Sequence, residues 1–291
     1  MGLLTKKFKL LFDYYINSSL HVSFCVICYI ISINLINQVP VNWEDITFVF
    51  FTTFFSYNFI KFKQYFTSIN KPVSPLLKFF FFKALISLVI SLYLFFNLST
   101  SKQIFVIIIS IATVLYTVPL ISNYTLRSNP ILKILTVAFC WTMIIVVFPF
   151  SEVLDFINLV YYSFLIFCLV IAQMIPFEIR DIIKDKDLIK TIIHDYGIKY
   201  SKNIGYCILT LAMLITMILC CFLENFVFKN STLIVILITA ILVSLSSEKQ
   251  NKYYSSFIVE SVPIYWLIVE IGLQILLWVD NFFFELTFVI N

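Results

Sequence analysis

The sequence predicts an all-α, polytopic membrane bundle of about nine transmembrane helices, and three observations carry that prediction. Hydrophobic residues fill 61% of the 291 positions and charged residues only 12%, against roughly 45–50% and 25% in soluble domains. Apolar stretches near the ~17–25 residues needed to cross hydrocarbon recur along the whole chain, without the polar–apolar alternation of barrel strands. Basic residues, finally, crowd onto alternate connections between those stretches.

Spans are expected at Leu20–Ile36, Ile46–Phe62, Phe79–Leu98, Ile104–Ile121, Ile131–Phe150, Ile157–Phe177, Ile204–Leu223, Leu233–Leu245 and Phe257–Val279. Each must be helical, because hydrocarbon offers the backbone no partner other than itself. The eighth is the shortest. The apolar tail from Phe282 to Ile290 is too short to cross and is assigned to the interface or to packing against a neighbour. Lys6, Lys7 and Lys9 precede a full-length first span with no small-residue cleavage site, so a cleaved signal peptide is not expected.

Orientation follows from the 20 Lys and Arg residues, since short positive loops stay cytoplasmic. With nine spans, one side receives 18 of them and the other keeps only Lys102 and Lys229. One wrongly assigned span would swap every later loop and erase that asymmetry. The amino terminus is therefore expected in the cytoplasm of a cell with an inner membrane, and the carboxyl terminus outside. The formal net charge of +4 reads as a topology signal, not as a nucleic-acid footprint.

Cysteine and histidine suggest no chemistry. All seven cysteines lie in or beside apolar spans, where a thiol behaves as a small hydrophobe. Cys25 and Cys28 have a redox spacing but no second pair, and His21 and His194 lack ligand-like company. No Gly/Ser linker interrupts the chain, so 1–291 reads as a single transmembrane domain with two long, charged cytoplasmic loops, about 61–78 and 178–202.

The second of those loops begins Pro176-Phe177-Glu178-Ile179-Arg180-Asp181-Ile182-Ile183-Lys184-Asp185. On a helix Glu178, Asp181 and Asp185 share one face within ~10 Å. Such a patch of hard oxygen ligands suits Mg²⁺ that also holds substrate phosphates. The same spacing also describes a solvated helix end with Lys184 and Lys186 as counter-charges. Laid over it, the first loop puts Tyr57 on Phe177, Asn58 on Glu178, Lys61 on Asp181 and Tyr65 on Asp185. The positions match; the carboxylates do not. Lys61 and Lys63 also suit ordinary snorkelling lysines at a span end.

With these residues the chain resembles the UbiA superfamily of intramembrane prenyltransferases, nine-helix bundles with one aspartate-rich motif after the second helix and another after the sixth. Phe177 to Asp185 looks like the second motif, with Glu178 in place of its first Asp; Lys190-Thr191 and Gly197 are similar to the family's Lys-Thr and Gly downstream of that motif. Leu115-Tyr116-Thr117-Val118-Pro119, Arg127, Pro130, Lys133 and Trp141 resemble the stretch between the fourth and fifth helices. The first motif departs, carrying Asn58, Lys61 and Tyr65, and only Asn70-Lys71-Pro72 keeps a family likeness there.

The resemblance implies Mg²⁺-dependent transfer of a prenyl group from an isoprenyl diphosphate to a lipophilic, membrane-soluble acceptor within the lipid bilayer. Glu178, Asp181 and Asp185 would be the catalytic metal ligands. Asn58, Lys61, Tyr116, Arg127, Arg180, Lys190 and Glu260 would bind substrate. Arg127 and Arg180 are the chain's only arginines, and guanidinium grips phosphate as a bidentate fork. Glu260 and Glu270 are acids inside an apolar run, where such groups face a bundle interior or a cavity. Glu270 reads best as an interhelical contact, and Gln173 as either a contact or a substrate neighbour. A non-catalytic relative that lost the first metal motif is the alternative. A transporter would need an inverted repeat or paired broken helices, and neither is visible.

Overall fold

The structure, a computed structural model, describes residues 2–66, 75–119, 125–182, 192–222 and 226–290. All regular structure among them is helical. The order is α1 (Gly2–Asn17), α2 (Leu20–Asn37), α3 (Trp43–Phe66), α4 (Pro75–Phe95), α5 (Thr100–Thr117), a 3₁₀ turn at Leu126–Ser128, α6 (Pro130–Thr142), a π turn at Met143–Val147, α7 (Phe148–Phe150), α8 (Phe156–Asp181), α9 (Ile192–Phe222), α10 (Phe226–Leu245), a second π turn at Tyr254–Val259, and α11 (Val262–Ile290).

The helix starts follow from local chemistry. The Ser99 side chain caps α5 by accepting from the Lys102 N–H, Asn129 caps α6 ahead of Pro130, and Asp155 caps α8. Each satisfies orphan donors of a first turn, an effect of about 1 kcal/mol per cap.

Each expected span overlaps a helix, with α6, its π turn and α7 together covering the fifth. Among the described residues seven helices, two fewer than the expected spans, are long and apolar enough to cross a membrane, and Asn230–Leu245 is a shorter apolar helix. α3 is not among them: Glu44, Asp45, Asn58, Lys61 and Lys63 lie within it, and Thr52, Thr53, Ser56 and Tyr57, which line an internal cavity, dilute its apolar surface further. α10 starts earlier than expected, at Phe226, and runs for 20 residues. Two further differences concern the ends. The first residues form α1, which the span analysis left unassigned because its three lysines interrupt any apolar run. The tail is not a separate segment, since α11 continues unbroken to Ile290.

In a soluble protein the large apolar side chains turn inward; here they also form an outer belt. Val89 and Tyr93 on α4, Ile218 on α9, Leu245 on α10 and Ile268 on α11 are exposed. Hydrocarbon is a solvent for such surfaces, so burial is not what drives helices together there. Inside, α8 packs on α6, α9 and α10, while α2 packs on α3 and α11. Several polar groups are matched within that core: Gln173 donates to the Tyr29 hydroxyl at 2.6 Å, Asn37 to Tyr162 at 2.9 Å, and Lys102 meets Asp45 at 2.6 Å. Glu270, fully buried, accepts from Gln274 at 2.8 Å on its own helix. His21 links Tyr15 (3.0 Å) to the Phe257 carbonyl (3.3 Å), so its imidazole is a structural tie.

α9 is broken at Gly197, whose backbone (φ 79°, ψ 162°) lies in a region open essentially to glycine alone. A Cβ built there meets nothing within 4 Å, so any cost of a side chain is conformational, not steric contact with neighbours. Gly197→Ala should therefore destabilise the protein by about 1–3 kcal/mol, read as a lower midpoint of thermal unfolding in detergent. An unchanged midpoint would mean that α9 tolerates a straight course through this position.

Candidate functional site

A cavity of about 420 Å³ opens among α3, α5, α6, α8 and the residues before α11. That volume suits a mid-sized ligand. One end is polar, with Lys61, Arg127, Lys133 and Arg180 as cations and Glu178, Asp181 and Glu260 as acids. The wall then runs down α8 to Val170, eleven residues from Asp181 and so about 16 Å along the axis. Ile109, Val137, Ile144 and Val170 line the deeper part. A charged mouth over an apolar shaft is the shape of an amphiphile with a polar head.

Irregular backbone sets the wall. A π turn carries one extra residue per turn and re-aims the side chains around it. The turn at Tyr254–Val259 ends on Glu260 and brings that carboxyl into the cavity. Pro176, inside α8, interrupts the ladder nearby. Its carbonyl accepts from Gln250 (2.7 Å) and Ser255 (3.0 Å), which fastens the Glu260 turn to the end of α8. The other π turn, Met143–Val147, carries Ile144 into the deep wall. Beside it the Trp141 indole donates to the Tyr57 hydroxyl at 2.8 Å, and both rings line the cavity.

Four of the charged groups at the mouth are matched in two pairs. Lys133 meets Glu178 at 2.5 Å with both side chains almost fully buried, and Arg180 engages both oxygens of Asp181 (2.8 and 3.2 Å) while stacking on Phe177. Lys61 and Arg180 are the cations whose fields act on Glu260. The Lys61 ammonium donates to the Asn17 carbonyl (3.1 Å) and to the Ser19 hydroxyl (2.8 Å). These two belong to the α1–α2 elbow, where Ser19 takes a left-handed backbone with φ 67°.

Of the ten residues singled out by sequence, seven line this one cavity: Lys61, Tyr116, Arg127, Glu178, Arg180, Asp181 and Glu260. Asn58 does not. It is fully buried, and its amide donates to the Ser18 carbonyl (3.0 Å) and the Phe54 carbonyl (2.8 Å), so it fastens the elbow instead of facing a ligand. Asp185 and Lys190 lie outside the described residues. Sequence reasoning passed over Tyr57 and Lys133 as site residues; Lys133 was visible only as a lysine in a matching segment, and its partner is 45 positions away.

Magnesium held beside a phosphate takes one or two carboxylates and completes its octahedron with phosphate and water oxygens. Of the three acids expected to supply ligands, Glu178 meets Lys133 and Asp181 meets Arg180, while Asp185 lies outside the described residues. Among the described residues no three His, Cys, Asp or Glu side chains come together to hold a metal. On the first-motif side an ammonium takes the ligand's place. At 4 Å from it a doubly charged ion would be repelled by roughly 8 kcal/mol at an effective dielectric of ~20, twice the unit-charge value.

No family model and no curated protein sequence matches the chain. Solved structures do. A digeranylgeranylglyceryl phosphate synthase of membranes aligns over 90% of this chain and 99% of its own, with a TM-score of 0.59 and 16% identity. A UbiA homolog from Aeropyrum pernix K1 aligns over 88% and 98%, with a TM-score of 0.62 and 13% identity. The protein is thus an all-helical membrane bundle with the UbiA-like fold, as the motif placement led us to expect.

The Lys133–Glu178 pair makes a stability claim. Removing one partner leaves an uncompensated buried charge, at a cost of about 3–5 kcal/mol, whereas replacing both by apolar residues is often near neutral. Lys133→Met should lower the thermal midpoint sharply, and Lys133→Met with Glu178→Leu should recover most of the loss. Equal losses in the single and double variants would show that the pair is not the coupled unit.

Proposed function

We propose that the protein binds an isoprenyl diphosphate in this cavity and transfers the prenyl group to a lipophilic acceptor dissolved in the membrane. The observation that supports this best is the placement of four cations, beside three acids, at the mouth of a cavity whose deeper wall carries Ile109, Val137, Ile144 and Val170. The diphosphate would lie among Lys61, Arg127, Lys133 and Arg180, with the prenyl chain running down past Ile109, Val137 and Val170. One of the structural neighbours is a synthase of a geranylgeranylated lipid phosphate, which agrees with a substrate of this class.

In the reaction, the bond between C1 of the prenyl group and the diphosphate oxygen breaks, and fixed cations stabilise the charge that develops on the leaving group. The allylic carbon becomes electron-poor. Tyr57, Tyr116 and Trp141 line the cavity where it would form, and aromatic rings can stabilise positive charge. The acceptor's nucleophilic atom then bonds to C1 and gives up a proton, while the apolar walls keep water from competing. The Mg²⁺ implied by the sequence resemblance enters no step of this scheme.

Incubation of the purified protein in vesicles of total membrane lipid with prenyl-labelled geranylgeranyl diphosphate, with and without Mg²⁺, tests the reading. It predicts release of diphosphate and labelled lipid-phase products, both lost on Arg180→Ala. The second reading, a non-catalytic relative, draws on the pairing of the second-motif acids with Lys133 and Arg180. It would be supported by tight substrate binding with no release under either condition.

The orientation proposed with this function is nine crossings, the basic loops and cavity mouth in the cytoplasm, and the carboxyl terminus outside an inner membrane. The 18-to-2 division of basic residues supports it. A reporter fused after Asn291 should score as external, and a cytoplasmic score would remove one crossing from the count.

A further inference from the structure

Asn58 and Lys61 stand where a first acidic motif would lie, yet they do not form a weakened version of it. One helical turn apart on α3, both reach to the α1–α2 elbow: Asn58 to the Ser18 carbonyl (3.0 Å), Lys61 to the Asn17 carbonyl (3.1 Å) and the Ser19 hydroxyl (2.8 Å). Ser19 can present that hydroxyl because the elbow turns through a left-handed backbone, and the Ser23 N–H and hydroxyl both bond back to the Ser19 carbonyl. The elbow is held from its other side as well. Asp13 of α1 accepts from Lys252 (2.9 Å) and Tyr253 (2.7 Å), and Lys83 of α4 bonds the Tyr14 hydroxyl. The Asp13 carboxyl is kept below its ordinary range by those donors, first Tyr253 and then Lys252.

An ammonium has three N–H donors. Two of Lys61's are committed to the elbow, and the residue lines the cavity, on the side opposite the Lys133–Glu178 and Arg180–Asp181 pairs carried by α6 and α8. A lysine on a surface helix end loses rotamer entropy each time it meets a phosphate. This one is already fixed. Among the described residues of the wall the cations outnumber the acids, four to three. A wall of that sign attracts a multiply charged anion directly and disfavours the free divalent ions that would otherwise bridge acid and phosphate.

We propose that the elbow-clamped Lys61 ammonium serves as a built-in counter-ion for the substrate's diphosphate, so that the head group binds through protein cations and without a divalent metal. The proposal rests on the diphosphate reading above and adds what holds that diphosphate. It assigns Ser19 and the Asn17 carbonyl as positioning groups, acting through Lys61 and not by touching the ligand. Charge-assisted contacts of this kind are the strong ones in a low-dielectric site.

The test measures equilibrium binding of geranylgeranyl diphosphate, and of inorganic pyrophosphate as a head-group probe, to the full-length protein in detergent, in excess EDTA and in millimolar Mg²⁺. The wild-type protein should bind both ligands in EDTA, with affinities within about threefold of those in Mg²⁺. Lys61→Ala should lose tenfold or more for both ligands, and Lys61→Arg should recover a substantial part. Ser19→Ala should lose less, and by the same factor for pyrophosphate as for the prenylated ligand, since it loosens only the head-group contact. Binding that EDTA abolishes in the wild-type protein overturns the proposal and leaves the diphosphate reading standing. Lys61→Ala binding like wild type overturns it too. No binding of either ligand under either condition would sink the diphosphate reading itself, and this one with it. The wild-type EDTA arm decides the matter even if Lys61→Ala fails to fold.

Discussion

Charge brought below a membrane surface has to be met by charge of the opposite sign, and the polar end of this bundle is arranged around that requirement. Lys133 on α6 and Glu178 on α8 are both almost fully buried, and neither is tolerable there alone. Their contact fixes how the start of α6 lies against the end of α8. The Pro176 carbonyl then fastens Gln250 and Ser255 to the same point, which sets the π turn carrying Glu260. Two separate chain segments, the start of α6 and the run from Gln250 to Glu260, thus converge on one short stretch of α8. The cavity between them is what remains once these polar obligations are met.

The opposite wall solves a different problem. α3 and the α1–α2 elbow meet through Asn58 and Lys61, whose donors go to main-chain carbonyls and one serine hydroxyl. Carboxylates at these positions could not make those contacts, because an ionised acid only accepts hydrogen bonds and a carbonyl cannot donate one. Residue type at the first motif and the docking of α1 are therefore one choice. A chain that kept acids there would need another way to hold its elbow.

Much of the fold was legible because hydrocarbon leaves a coarse, one-dimensional mark. The apolar runs fall on helices, and where ends shifted, as at Phe226 on α10, it was the polar residues Lys229, Asn230 and Ser231 that had hidden the helix start. α1 left no such mark, since its apolar residues Phe8, Leu10 and Leu11 are interleaved with lysines and remain exposed. The π turns were invisible for a deeper reason: an inserted residue in a helix has no composition of its own. The site was legible to the extent that its residues stood at matching positions after two helices. What the positions could not give was partnership. Nothing in a single sequence links Lys133 to Glu178, or Asn58 to Ser18, and those pairings decide which side chains face the cavity.

The same distinction bears on how far the UbiA-like fold constrains chemistry. Structures at 13% and 16% identity keep the path of the chain across some nine-tenths of its length. A helix packing can survive that much change because apolar side chains exchange for one another at small cost if volume and pattern are kept. Charged side chains at a cavity mouth cannot, since each one alters what its neighbours can hold. Replacing an acid by Lys61 removes one negative charge and adds one positive, a swing of two units beside the same ligand. For a multiply charged anion that swing favours direct contact with the wall; for a divalent cation it works against occupancy. The fold is therefore compatible with two ways of neutralising the same head group, one by borrowed ions and one by its own side chains. In this chain the elbow contacts of Lys61 are what make the second available, because they hold an ammonium in place before any ligand arrives.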